Sequence, residues 1–112
     1  MSAYVPASGD VVWLHFDPQA GHEQAGRRPA LVLSPQRYNK ARGMMICCPM
    51  TTRIKGHPFE VLTAIGDQPG AILSDQVKSL DWKARRAKKK AEVPAEVMLH
   101  VRAKLKALLQ IA

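Results

Sequence analysis

The sequence predicts a mainly β domain: a small antiparallel β-barrel or strongly curled sheet closed by one C-terminal helix. Three observations carry that expectation. Short apolar runs with β-type patterning follow one another from Val11 to Trp82. Breaker clusters such as Asp17-Pro18 and Gly66-Asp67-Gln68-Pro69-Gly70 separate them. Helical spacing of apolar residues is marked at the end of the chain, after Pro94.

Taken in order, Val12, Leu14 and Phe16 alternate with Val11, Trp13 and His15, the two-residue period of a half-buried strand. Ala30-Leu31-Val32-Leu33 and Met44-Met45-Ile46-Cys47-Cys48 are continuous apolar runs that fit strands buried on both faces. Between them residues 34–43 are polar and turn-rich and read as a connection. Pro49 is expected to end regular pairing in the third run, and Met50-Thr51-Thr52 leads into a loop over residues 53–58. Phe59-Glu60-Val61-Leu62 restarts a strand, and Ala71-Ile72-Leu73 leads into a long strand with polar residues interleaved as far as Trp82. The basic stretch from Lys83 to Lys90 fits either a solvated strand or turn face, or a patch that attracts phosphates. Pro94 suits a first helical turn, Glu96 lies near the positive end of the helix dipole, and Val97, Val101, Leu105, Leu108 and Leu109 mark one face. There is no internal repeat and no linker, so residues 1–112 are expected to form a single domain.

Composition narrows the function classes. Apolar residues make up 46% of the chain and charged residues 23%, the balance of a globular protein rather than a disordered tail. With 17 Lys+Arg against 9 Asp+Glu the net charge is +8, which favours a polyanionic partner. Two Trp, two Tyr and two Phe are too few for extensive base stacking. No apolar run approaches the roughly 18 residues of a membrane span, and the N-terminus lacks a secretory pattern. Cys47 and Cys48 are adjacent, and in a strand they point to opposite faces, a poor geometry for a disulfide with each other. Two reduced thiols in a cytoplasmic protein are expected.

One loop stands apart. Gly21-His22-Glu23-Gln24-Ala25-Gly26-Arg27-Arg28-Pro29 joins the first two strands and holds a histidine, a carboxylate, an amide and two guanidinium groups. Loops on a rigid scaffold are where binding and catalysis concentrate, although a merely solvated charged loop fits the same residues.

The chain resembles the MazF/PemK toxins of type II toxin–antitoxin systems. The likeness runs through Tyr4-Val5-Pro6, Gly9-Asp10, Trp13 and Phe16-Asp17-Pro18, and is densest at Gly21, Glu23-Gln24-Ala25-Gly26 and Arg28-Pro29-Ala30. It continues through Val32-Leu33-Ser34-Pro35, Tyr38-Asn39, Pro49, Thr51-Thr52, Lys55-Gly56, Pro58-Phe59-Glu60-Val61 and Asp75-Gln76-Val77-Lys78-Ser79. It implies an SH3-like small β-barrel of the CcdB/PemK type with a C-terminal helix. It also implies a homodimer and a sequence-specific endoribonuclease that inhibits translation and growth.

The resemblance implies catalytic roles for Glu23, Arg28 and Thr51. An arginine can clamp the scissile phosphate, a hydroxyl can complete the oxyanion contacts, and a carboxylate can take the proton of the ribose 2′-OH or orient the arginine. RNA contacts are expected from His22, Gln24, Arg27, Lys55, Gln76, Lys78 and Arg85. Gln76 fits equally a strand-face residue bonded to a loop backbone. His22 stands where many relatives have serine, as an added acid/base group or as a bystander. No metal site is expected, because no Asp/Glu/His/Cys cluster has the spacing of a two-metal nuclease, and no cofactor either. Expected partners are single-stranded RNA, a second copy of the chain, and a cognate antitoxin with an acidic, partly disordered tail. Two other readings remain: a gyrase-poisoning toxin of the same fold, and a basic module that holds nucleic acid without cutting it.

Overall fold

In a computed structural model the described residues are 3–16 and 26–112. Ten elements follow one another: β1 (Asp10–Phe16), β2 (Gly26–Val32), α1 (Gln36–Arg42), β3 (Met44–Thr51), β4 (Glu60–Ile65), β5 (Gln68–Leu73), a single 3-10 turn (Ser74–Gln76), β6 (Lys78–Asp81), β7 (Lys88–Glu92) and α2 (Ala95–Leu108). The seven strands form one antiparallel sheet in the order β4-β5-β3-β2-β1-β7, with β6 off this path beside β3, curled into a half-barrel. This is the mainly β fold with a C-terminal helix that the sequence predicts.

β3 is the hub. One edge pairs with β2 (Ala30 with Pro49, Leu31 with Cys48, Val32 with Cys47). The other edge is shared. β6 runs along Met44 to Cys47, while β5 takes Met50 and Thr51. The 3-10 turn separates those two neighbours, so the long strand expected from Ser74 to Trp82 is broken at its start. Pro49 does not end β3. It lacks an N–H, yet the strand continues for two more residues as its pairing passes to β5.

Strand alternation divides the core in two. Val11, Leu31, Cys48 and Met50 pack with Ile72 beneath Val97, Met98 and Val101 of α2. Val12, Leu14, Ala30, Val32, Met45 and Cys47 face the other way, toward Trp82, Tyr4 and Val5. Cys47 and Cys48 therefore lie on opposite faces, both buried and both free. In α2 the expected stripe holds for Val97, Val101 and Leu105, and Met98 joins it. Leu108 and Leu109 are exposed, so the packed face ends before the helix does.

α1 is the element that sequence patterning left as a connection. Pro35 starts it with φ −71°, and Gly43 stops it in the left-handed region at φ 68°, where glycine carries no Cβ penalty. The anchor is polar. Buried Asn39 accepts from the Ser34 hydroxyl and donates to the carbonyls of Pro6 (2.8 Å) and Ser34 (3.0 Å), while its own carbonyl accepts from the Trp82 indole at 2.8 Å. This network ties the N-terminal arm and α1 to the half of the core that holds Trp82.

Candidate active site

A cleft of about 400 Å³ opens where β2 begins and β3 ends. Trp13, Arg27, Arg28, Pro29, Met50, Thr51, Thr52, Arg53, Ile65, Gln68 and Lys90 line it. Strand pairing brings them together. Trp13 pairs with Pro29, Leu14 with Arg28 and His15 with Arg27. Continuing the β2–β3 register two residues beyond Ala30 and Pro49 sets Arg28 across from Thr51. The hairpin of β4 and β5 adds Ile65 and Gln68, which pair with each other. β7 adds Lys90 from the far edge.

Four cationic side chains share this space, and no carboxylate stands among the described residues that line it. Such a cleft concentrates positive potential and attracts phosphodiesters. The Trp13 ring organises two of the cations: the Arg27 guanidinium carbon lies 5.0 Å from its centroid and Lys90 Nζ 4.8 Å. Each gains electrostatic attraction from the π face, worth about 0.5–1 kcal/mol at an exposed site, and keeps donors for a ligand. On Thr51, Oγ1 accepts the backbone N–H of Arg53 at 3.0 Å, so its own hydrogen is left to donate elsewhere.

The loop after β3 is shaped by Glu60. Its carboxylate accepts the backbone N–H groups of Lys55 (3.1 and 3.0 Å) and Gly56 (2.7 Å), and His57 Nε2 lies 3.8 Å away. The Lys55 N–H bond is the chief cause that holds this carboxyl below its ordinary range, joined by the Gly56 bond and the neighbouring His57 and opposed by burial.

Of the residues expected to act, the cleft gathers Arg27, Arg28 and Thr51. Lys55, Gln76, Lys78 and Arg85 do not line it. Lys55 emerges from the loop that Glu60 holds, and Gln76 and Lys78 are exposed on the 3-10 turn and β6. Arg85 lies in the turn before β7, and its carbonyl accepts the His15 N–H at 2.8 Å. His22, Glu23 and Gln24 lie outside the described residues, as does the Asp17-Pro18 turn. Sequence reasoning missed Arg53, Gln68 and Lys90 as wall residues and Trp13 as the platform for two cations. The basic run holding Lys90 was visible, but it divides by role. Lys89 bonds Glu92 at 2.7 Å and approaches Asp10 at 3.6 Å, Lys83 lies 5.4 Å from the Trp82 ring centroid, and Lys90 alone of the run reaches the cleft.

Residues 7–109 match a family model described as the PemK-like, MazF-like toxin of type II toxin–antitoxin systems. The chain is 50% identical over 109 residues to the endoribonuclease toxin MazF of Escherichia coli K12, a match covering 97% of this chain and 98% of that protein. It is 38% identical over 108 residues to the endoribonuclease toxin ChpB of the same strain, covering 91% and 92%. Among solved structures, the MazE–MazF crystal structure (Form-II) from Deinococcus radiodurans has a chain that superposes with TM-score 0.89 at 56% identity. That match covers 98% of this chain and all of the other.

Proposed function

Because the chain belongs to the PemK-like, MazF-like toxins of type II toxin–antitoxin systems, we propose that it is an endoribonuclease that cuts single-stranded RNA in the cleft between β2 and β3. The observation that carries the proposal is the meeting of Arg28 and Thr51 in one cationic cleft without a carboxylate among its described lining residues. That lining suits a phosphodiester that gains negative charge as it reacts.

In the proposed mechanism Arg28 donates to non-bridging oxygens of the scissile phosphate, and the Thr51 hydroxyl donates to the same group. The ribose 2′-oxygen attacks phosphorus as the bond to the 5′-oxygen breaks. The products are a 2′,3′-cyclic phosphate and a 5′-hydroxyl, the latter formed as the leaving oxygen takes up a proton. Glu23 takes the 2′-OH proton or orients Arg28. Arg27 on its Trp13 platform, Arg53 and Lys90 hold the flanking phosphates. Gln24, His22, Lys55, Gln76, Lys78 and Arg85 contact RNA outside the scissile group. The reaction proceeds without a metal, because cationic walls neutralise the phosphate and repel a divalent ion. The 2′-OH is both nucleophile and recognition handle, so DNA is not a substrate.

The single domain of residues 1–112 acts in the cytoplasm as a homodimer, and a cognate antitoxin with an acidic, partly disordered tail neutralises it. A solved relative is crystallised as a MazE–MazF pair, which supports that partner. Among the described residues no helix is long and apolar enough to cross a membrane.

The test is a pair of oligonucleotides incubated with the purified chain in EDTA. The all-ribose strand should be cut to a 2′,3′-cyclic phosphate and a 5′-hydroxyl. A strand with one 2′-deoxy sugar on the 5′ side of the scissile bond should bind and resist. Normal cutting of the substituted strand, or activity that returns only with Mg²⁺, would overturn the mechanism.

A further inference from the structure

The loop after β3 has little core of its own: residues 52–56 are all exposed, and only His57 among residues 52–58 is half-buried. Its shape is set from outside. At its start the Thr51 hydroxyl oxygen accepts the Arg53 N–H, and at its end the Pro58 carbonyl accepts the Lys104 ammonium of α2. Between them the Glu60 carboxylate, on a side chain only 2% exposed, accepts the N–H groups of Lys55 and Gly56. Gly56 sits at φ 81°, which lets two successive N–H groups converge on that carboxylate. His57 stands beside this carboxylate, its Nε2 3.8 Å away. Its Nδ1 accepts the Phe59 N–H at 3.2 Å, which assigns the ring hydrogen to Nε2, the nitrogen that faces Glu60.

A buried carboxylate is costly unless its oxygens are satisfied. Here the satisfying partners are loop amides, so loop conformation and burial of Glu60 are bound together. The same loop carries Arg53 and Thr52 into the cleft wall and bears Lys55. We infer that Glu60 is a positioning residue for RNA cleavage: its carboxylate fixes the backbone of the loop after β3, presents Arg53 to the cleft, and sets where Lys55 emerges. The inference rests on the RNA-cleaving reading of the cleft. Glu60 does not line the cleft and acts through the amides of Lys55 and Gly56.

Three variants test it in the full-length protein: Glu60→Ala, Glu60→Gln and, as a control in the α2 core, Met98→Ala. Steady-state cleavage of an RNA oligonucleotide is measured alongside the melting temperature and amide hydrogen exchange. Glu60→Ala should raise KM at least about fivefold with a smaller change in kcat, and should deprotect the Lys55 and Gly56 amides. Glu60→Gln keeps a carbonyl acceptor and should recover part of both effects. Met98→Ala should lower the melting temperature and leave KM within about twofold of wild type. If Glu60→Ala does not fold, the KM and exchange of Glu60→Gln decide. Unchanged KM in the folded Glu60 variants, or an equal rise in KM for Met98→Ala, would overturn the inference. A wild-type chain that cuts no RNA would instead defeat the reading on which it rests.

Discussion

Gly70 stands against the backbone carbonyl of Thr51 with no side chain between them: a Cβ built there would lie 2.9 Å from that oxygen and 2.4 Å from Cδ1 of Ile65. β5 can approach β3 this closely only at a glycine. Gly70→Ala should therefore displace the end of β3 and with it Thr51. Overpacking of this kind costs about 1–3 kcal/mol. The expected result is a lower denaturation midpoint in urea and a loss of RNA cleavage of roughly tenfold or more, larger than the stability change alone would cause. Full activity in a folded Gly70→Ala protein would show that Thr51 need not stay where it is.

Arg28→Ala should lower RNA cleavage by at least about 100-fold, the scale seen when a donor to a developing oxyanion is removed. Thr51→Ala should follow it, with a smaller loss because a neutral donor is removed. Glu23→Ala should lower the rate strongly, though by less than Arg28→Ala. Circular dichroism should show the fold retained in each case. A folded Arg28→Ala protein that cuts RNA at the wild-type rate would remove the central group of the proposed mechanism.

Trp13→Leu keeps an apolar residue but removes the π surface shared by Arg27 and Lys90. Without that platform the two cations are less well placed for a ligand, and RNA binding should weaken several-fold. Fluorescence anisotropy at several salt concentrations measures this. The salt slope should stay near that of wild type, since the cations remain, whereas Lys90→Ala should lower it by about one.

The depressed ionisation of Glu60 has a defined sign. A carboxyl with a lowered folded pKa contributes stability that is fully present above its unfolded value, about 4.3, and is lost as pH falls through the folded value. The backbone N–H of Lys55 is the first cause, and the Gly56 N–H adds to it against the opposing effect of burial. Wild type should therefore exceed Glu60→Gln in urea stability at pH 7, and the gap should narrow below about pH 4. A gap constant from pH 7 to pH 3 would contradict the assignment.

Burial pushes the Cys47 thiol up to about 11 and the Cys48 thiol up to about 12. The thiolate is the reactive form, so both cysteines should resist a thiol reagent at pH 8 in the native protein. Both should react rapidly in guanidinium. Rapid labelling of either in the folded state would mean that its sheet face opens.

Period-two alternation exposed the opposite facing of Cys47 and Cys48, and the continuous apolar runs are strands as read, though Ile46 stands exposed in a run expected to be buried on both sides. α1 was not legible because its single buried residue is Asn39, held by hydrogen bonds that leave no apolar stripe. The divided strand after Leu73 was hidden for another reason. Its break depends on two neighbours sharing one edge of β3, a relation between residues 44–51, 68–73 and 78–81 that local spacing does not encode. At the site, Arg28 and Thr51 were readable through resemblance. Gln68 and Arg53 were not, since an amide in a turn and an arginine in a loop look alike wherever they point. Lys90 is one of three consecutive lysines, and only the pairing of β1 with β7 distinguishes it.

That pairing also gives the molecule a timetable. Trp13 meets Lys88 across the β1–β7 ladder, and Lys90 joins Arg27 at the Trp13 ring only once residues about 75 positions apart have closed on one another. Such long closures come late in folding because the chain loses entropy before the contacts form. The cationic cleft is therefore complete only once β7 has joined β1, and a chain that has folded without that closure lacks Lys90 at its wall.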